Sequence, residues 1–386
     1  MSDLALSTVV PAALPAHLSG MTGTNRTPAG TSRQIAANDD VAAIGLWLAE
    51  YRGSPHTFRS YRKEAERLLL WATQIRGKAV SSLTREDVLA YEAFLAHPLP
   101  TWCDEGLARR GDHRRLFAGA LSERSQRQAL GILSGLFNYL VRAGYLAGTP
   151  FALQPRRRRA RQGRRTIERY LDRALWEDVL VHVERWPQAS GRDRQRYERA
   201  RWTLRLLYET ALRASEGAHA RESDLLHRRG CWWLRVTGKG GVEGEVPISD
   251  ALMADFARYR AFHGMPVVPA SDSSRPLILG IAGREAPLTA TAVYLVVKDA
   301  LRRVADVLTP TDPMRAARLR RASTHWLRHS AATHQAEAGN PVHHIQHNLR
   351  HSSIATTSIY LHAEEDARHA STTQARTVIT SSKERP

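Results

Sequence analysis

The chain is expected to fold as a mainly α protein with a small β-sheet, in which a helical-bundle N-terminal domain precedes a larger α+β domain. Three observations carry this expectation. Apolar residues recur at helical spacing through long segments from Val41 onward. One pair of runs, CWWLRVT and VEGEVPIS, instead reads as strands joined by the turn GKGG, which makes a single β-hairpin. The 386 residues hold 42% apolar types, enough for two ordinary domains with real cores.

Charge narrows the function before any motif does. Lys and Arg number 56 against 38 Asp and Glu, a formal net charge of +18. That surplus calls for a polyanionic partner, nucleic acid first. No run of about 18 apolar residues exists to span a bilayer, and the N-terminus lacks the pattern of a secretory signal, so no membrane partner is expected. Only Cys103 and Cys231 occur, which argues against a disulfide scaffold and a cysteine-rich metal site. A cytoplasmic DNA- or RNA-handling protein is the expectation.

Taken in order, residues 1–40 are rich in Ala, Ser, Thr, Pro and Gly without a period and read as a flexible tail. Residues 41–153 read as a DNA-binding bundle of about four helices. Ser54 and Pro55 start one helix, whose stripe is Phe58, Tyr61, Ala65, Leu68, Leu69, Ala72 and Ile75. Arg59, Arg62, Lys63 and Arg67 lie off the stripe, and the first three are candidate DNA contacts. Thr84 caps the next helix, with acids in its first turn. After a polar excursion over residues 97–120, a third long helix starts near Ser122. It carries Ala129, Ile132, Leu133, Leu136, Phe137 and Leu140 inward and stops at Gly144.

Residues 154–165 form a basic linker. Seven arginines, Arg156, Arg157, Arg158, Arg159, Arg161, Arg164 and Arg165, crowd the eleven positions from Pro155 to Arg165. Such a run repels itself and suits a strap across a phosphate backbone. Residues 166–365 make the catalytic domain, with helical patterns at 173–186, 192–212, 250–263 and 289–308. Residues 366–386 form a polar C-terminal tail, suited equally to docking on a neighbouring protomer or to a frayed end.

Within that domain, certain residue types suit the grip of a phosphodiester. Arg213 lies at a helix end beside Glu216, so a buried guanidinium there, steadied by the carboxylate, can fork onto two phosphate oxygens. Lys239 sits in a glycine-rich turn, where a mobile ammonium can protonate a leaving oxygen. His325 and Arg328, three apart on an expected helix, share a face. His351 follows a short helix opened by Asn340-Pro341, and Tyr360 lies nine residues beyond it. Each of these taken alone has ordinary structural uses. His343, His347 and His351, spaced by four, would share a helical face able to hold zinc, but the two serines that follow break the helix and no carboxylate completes the set.

The boxes ALRASE, VTGKGG, HWLRHSAATH and NLRHSSIATTSIYLH resemble, in order and spacing, those of the tyrosine recombinases, the phage-integrase family. The likeness extends over about residues 41–365. It implies a catalytic set of Arg213, Lys239, His325, Arg328, His351 and Tyr360, with Glu216 in support. Arg350 is a departure, because relatives usually carry glycine before the second histidine. The resemblance also implies strand exchange without metal or nucleotide cofactor, through a 3′-phosphotyrosyl bond made by Tyr360. It implies double-stranded DNA with an inverted-repeat core site as partner, a tetramer in the synapse, and room for accessory DNA-binding proteins. A type IB topoisomerase acting on one duplex, or a DNA-binding regulator with an inert site, are the competing readings.

Overall fold

Side-chain caps and apolar stripes set most of the helix boundaries. The computed structural model describes residues 14–28, 30–103, 117–153, 169–238, 241–281, 285–350 and 357. The chain divides into two compact units, 1–160 and 161–386.

The first unit contains α1 (Ala16–Ser19), α2 (Asp40–Ala49), α3 (Pro55–Gln74), α4 (Arg85–Ala96) and α5 (Glu123–Arg142). Asp39 caps α2 by accepting from the Ala42 amide at 2.7 Å, and Ser122 caps α5 by accepting from Ser125 at 3.3 Å. Pro55 occupies the first turn of α3, where its missing N–H costs nothing. All six expected core positions of α5, Ala129, Ile132, Leu133, Leu136, Phe137 and Leu140, are buried. They meet Trp47, Leu69, Trp71 and Tyr91 in one cluster. On α3, Ala65, Leu68, Leu69 and Ala72 are buried as the stripe requires.

Two members of that helix depart from the expected pattern. Ile75 lies past the last turn and is exposed. Arg67, read as solvent-facing, is buried, paired with Glu64 at 2.6 Å and stacked 4.3 Å from the Phe117 ring. An aromatic face and a neighbouring carboxylate offset the desolvation of its guanidinium, a compensation that helical spacing does not reveal.

The flexible tail expected over residues 1–40 is corrected for its described part. Asn25 donates to Ser81 O at 2.9 Å, Thr27 Oγ1 donates to Gly144 O at 2.6 Å, and Arg26 bridges to Leu146. Asp40, buried, accepts from Ser81 N, Ser81 Oγ and Tyr145 OH at 2.9, 3.1 and 2.8 Å. Gly144, left-handed at φ +68°, ends α5 and lets Ser32 O come within 2.4 Å of where a Cβ would stand. An irregular segment held by backbone hydrogen bonds to other loops carries no period, so composition alone suggested disorder.

The second unit is built from α6 (Arg173–Glu184), α7 (Gly191–Glu209), α8 (Ala214–His219), α9 (Asp250–Phe262), α10 (Ala290–Leu308), α11 (Pro313–Arg321), α12 (Thr324–Glu337) and α13 (Val342–Leu349). Between α8 and α9 lies an antiparallel sheet of β1 (Leu225–Arg228), β2 (Cys231–Thr237) and β3 (Glu243–Ile248), in that order. The sequence suggested only the hairpin of β2 and β3. Strand β1 is four residues long and joins β2 through Arg229-Gly230, both left-handed at φ +51° and +76°. Two successive positive φ values give the tight turn whose twist matches a hairpin, and an arginine is an unusual occupant of its first position. Leu204, Leu207, Val236, Val246, Phe256, Val297, Leu301 and Leu327 lie in the core of this unit.

Candidate active site

The site begins where α7 stops. Ala211 turns the chain with a left-handed φ of +50°, an unusual state for a residue with a Cβ. Two residues later Arg213 caps α8. Glu216 Oε2 accepts from the Arg213 amide at 2.8 Å and Oε1 accepts from Arg213 Nη1 at 2.6 Å. One carboxylate thus satisfies a helix-end amide and aims a guanidinium, a variant of the capping box. Arg213 is not buried as the sequence suggested, for 38% of its side chain is exposed while Glu216 keeps only 3%. The tether is buried and the fork it holds is open.

Arg328 is the buried cation, 2% exposed. Its Nη1 donates to Ala211 O at 2.6 Å and its Nη2 to Leu349 O. Both carbonyls belong to sharp turns, one leading to Arg213 and the other to His351. Nη1 also lies 3.8 Å from Glu216 Oε2. Small residues make the approach possible, since Ala331, Ala332 and Ala336 of α12 pack with Ala211 and with Ile345 and Leu349 of α13. The two arginines named from the sequence therefore stand around one carboxylate.

Arg350 is the third member of that cluster and the residue whose role the sequence did not disclose. It ends α13 in the left-handed region, φ +50° and ψ +46°, which costs a residue with a side chain about 1–2 kcal/mol. Its Nη2 donates to Glu216 Oε2 at 2.6 Å and its Nη1 to Asn348 O at 2.9 Å. The aliphatic stem passes over β3 at Gly244, where a Cβ would meet Arg350 Cγ and Cδ at 3.1 Å. Gly238, at the end of β2, brings the position of a Cβ to 3.8 Å from Glu216 Oε1. The hairpin, α8, α12 and the end of α13 thus converge on Glu216. The only available signal was the oddity already visible in the sequence, a bulky cation where relatives usually carry glycine.

Three guanidinium groups face this single carboxylate, so the cluster keeps a surplus of positive charge in a largely dry setting. Burial pushes Glu216 up, but Arg350 and the bonds from Arg213 outweigh it and hold the carboxyl below its usual range. His325, on the first turn of α12, keeps an exposed ring stacked edge-on against His329 at 4.2 Å. Loss of water on its protein side, then the fields of Arg328, Arg213 and Arg169, hold the imidazole below its ordinary value. The lowered value favours the neutral form, the one able to take a proton.

Lys239, His351 and Tyr360 lie outside the described residues, as do all seven arginines of the linker. On α3, Arg59 and Lys63 are exposed, while Arg62 sits 3.7 Å from Glu66 and over the Phe58 ring. His343 and His347 occupy α13, and no group of three metal-ligating side chains occurs among the described residues. No helix of the described residues is long and apolar enough to cross a membrane.

Chemically, a carboxylate shared by arginines with an imidazole at its rim can seat a phosphate-like anion and pass a proton beside it. The pattern of the phage integrase family matches residues 181–367. The tyrosine recombinase XerC of Rhodospirillum centenum is 31% identical over 348 residues, covering 88% of this chain and 86% of that protein. XerC of Mycobacterium bovis is 29% identical over 315 residues, covering 80% and 88%. In fold the chain is similar to the XerH recombinase bound to difH DNA, with a TM-score of 0.56, 17% identity and coverage of 85% and 83%. It is likewise similar to the Tn1549 transposon integrase bound to transposon right-end DNA, at TM-score 0.56, 18% identity and coverage of 86% and 98%. The chain belongs to the tyrosine recombinases. It is a site-specific DNA recombinase, which breaks and rejoins DNA strands.

Proposed function

We propose that strand cleavage takes place over Glu216, with the open fork of Arg213 bound to the non-bridging oxygens of the scissile phosphate and the buried Arg328 adding its positive charge beneath them. In this reading Tyr360 attacks phosphorus and the bond to the 5′-oxygen breaks. The products are a 3′-phosphotyrosyl linkage and a 5′-hydroxyl. His325 takes the phenolic proton, Lys239 delivers a proton to the departing oxygen, and His351 donates to a non-bridging oxygen. The ester energy stays in the protein–DNA bond, so the 5′-hydroxyl of a second strand reverses the step without nucleotide or metal. Fixed guanidinium groups stabilise the extra charge of the five-coordinate state better than water, which would have to reorient. The observation that carries the reading is the sharing of Glu216 by Arg213 and Arg328, on a carboxylate 3% exposed.

The substrate that fits is duplex DNA with an inverted-repeat core, gripped by exposed basic residues of α3 such as Arg59 and Lys63 together with Arg62. The arginines of 154–165 cross its backbone. Four protomers on two duplexes, accessory DNA-binding proteins, a cytoplasmic location and service to a mobile element complete the reading. Its test is selection of binding sites from random duplexes, followed by recombination of a plasmid bearing two selected sites. Resolution into two circles by the wild type, and none by Tyr360→Phe at unchanged DNA affinity, is the expected result. Relaxation of a plasmid that lacks any selected site would refute it.

A further inference from the structure

We propose that Arg350 is a positioning residue for strand cleavage, holding Glu216 and the β2–β3 hairpin in the arrangement that presents Arg213 to the phosphate. This rests on the assignment of Arg213 and Glu216 to the active site.

Four observations carry it. First, the Arg350 guanidinium lies on Glu216 Oε2 at 2.6 Å, while the other oxygen of the same carboxylate holds Arg213 Nη1 at 2.6 Å. Rotation of the carboxyl group would disturb both bonds at once. Second, only 8% of the Arg350 side chain is exposed, so the contact is not a surface pair that solvent would screen. Third, the stem rests on Gly244 of β3, and the Arg350 backbone is the left-handed exit of α13 that leads to His351. One side chain therefore joins α8, the hairpin and this exit. Fourth, the backbone conformation is one that glycine adopts freely and arginine does not. The buried ion pair with Glu216 and the contact over Gly244 offset that backbone cost. The field of the guanidinium also keeps Glu216 ionised, and an ionised Glu216 is what orients Arg213.

The experiment is a single-turnover comparison on a nicked suicide duplex, with DNA affinity measured alongside. Arg350→Gly relieves the backbone and removes the ion pair, Arg350→Ala removes the pair without relief, and Arg350→Lys keeps a charge in reach of Glu216. The expected outcome is a cleavage rate at least about 10-fold lower for both Gly and Ala at saturating DNA, with Kd within about twofold of wild type and partial recovery in Lys. Added to Glu216→Gln, Arg350→Gly should lower the rate no further, because both act through the same tether. If Arg350→Gly cleaves as fast as the wild type, or if its loss lies wholly in Kd, the inference is wrong. A loss that multiplies fully with that of Glu216→Gln also overturns it. Should Gly and Ala fail to fold, the Lys variant alone decides, since full activity without the planar fork would contradict the role and a drop in rate at constant Kd would support it. Failure of the wild type to cleave would instead count against the placement of the active site.

Discussion

At the scale of single residues, the cluster around Glu216 is defined by the way charges are shared. Glu216 is outnumbered by guanidinium groups, and its two oxygens divide Arg213 from Arg350. His325 sits at the rim of the same field with its imidazole held below the ordinary value, first by lost hydration and then by Arg328, Arg213 and Arg169. Because the folded value is lowered, the midpoint of protonation lies below the usual imidazole value. Single-turnover cleavage against pH should show its acidic limb below 6.5, and His325→Gln should lower the rate and remove that limb. A limb centred above 6.5 in the wild type would contradict the electrostatics described. The residues of this cluster were legible to different degrees. Arg213, Glu216, His325 and Arg328 could be named because their types and spacing suit an anion, but their burial could not. Which arginine is buried depends on Ala211 and Leu349, whose carbonyls lie far from Arg328 in sequence.

At the scale of elements, helices with caps and apolar stripes were readable, whereas segments held by loop-to-loop hydrogen bonds were not. The register of α5 followed from spacing, since its six inward residues all reach the core. Strand β1 was hidden by its length and by Arg229 in a turn position that usually shows Asn or Gly. The segment before α2 was hidden for a different reason, because it is held by hydrogen bonds to distant loops, such as Asn25 N to Ser81 O and Gln34 N to Ala143 O, beside the buried Asp40 that looks like an ordinary helix-start acid. Replacing Asp40 with Ala leaves Ser81 N and Tyr145 OH without their acceptor and Ser81 Oγ with only Gly20 O at 3.4 Å. Urea unfolding is expected to show a loss of about 2–4 kcal/mol in the N-terminal unit. A change within about 0.5 kcal/mol would mean that the buried hydrogen bonds of Asp40 contribute little to the fold.

At the scale of the whole molecule, the surplus of +18 sets the terms of DNA binding. Phosphate contacts release counterions, so affinity should fall steeply with salt. Changing the seven arginines of 156–165 to Gln should make the slope of log K against log salt shallower by about 0.9 for each that meets a phosphate. An unchanged slope would remove that run from the interface. The charge and the order of the boxes, more than any periodicity, made the class of partner readable. The central claim is that a phenol, and no metal, opens the DNA strand over the Glu216 cluster. Its most direct measurement is to incubate the protein with a nicked cognate duplex in the presence of a chelator, digest the product and map the DNA-linked peptide by mass spectrometry. A 3′-phosphate ester on Tyr360 is expected, at wild-type yield with chelator and absent after Arg213→Ala or Arg328→Ala. An adduct on another residue, or cleavage that stops when metal is removed, would contradict it.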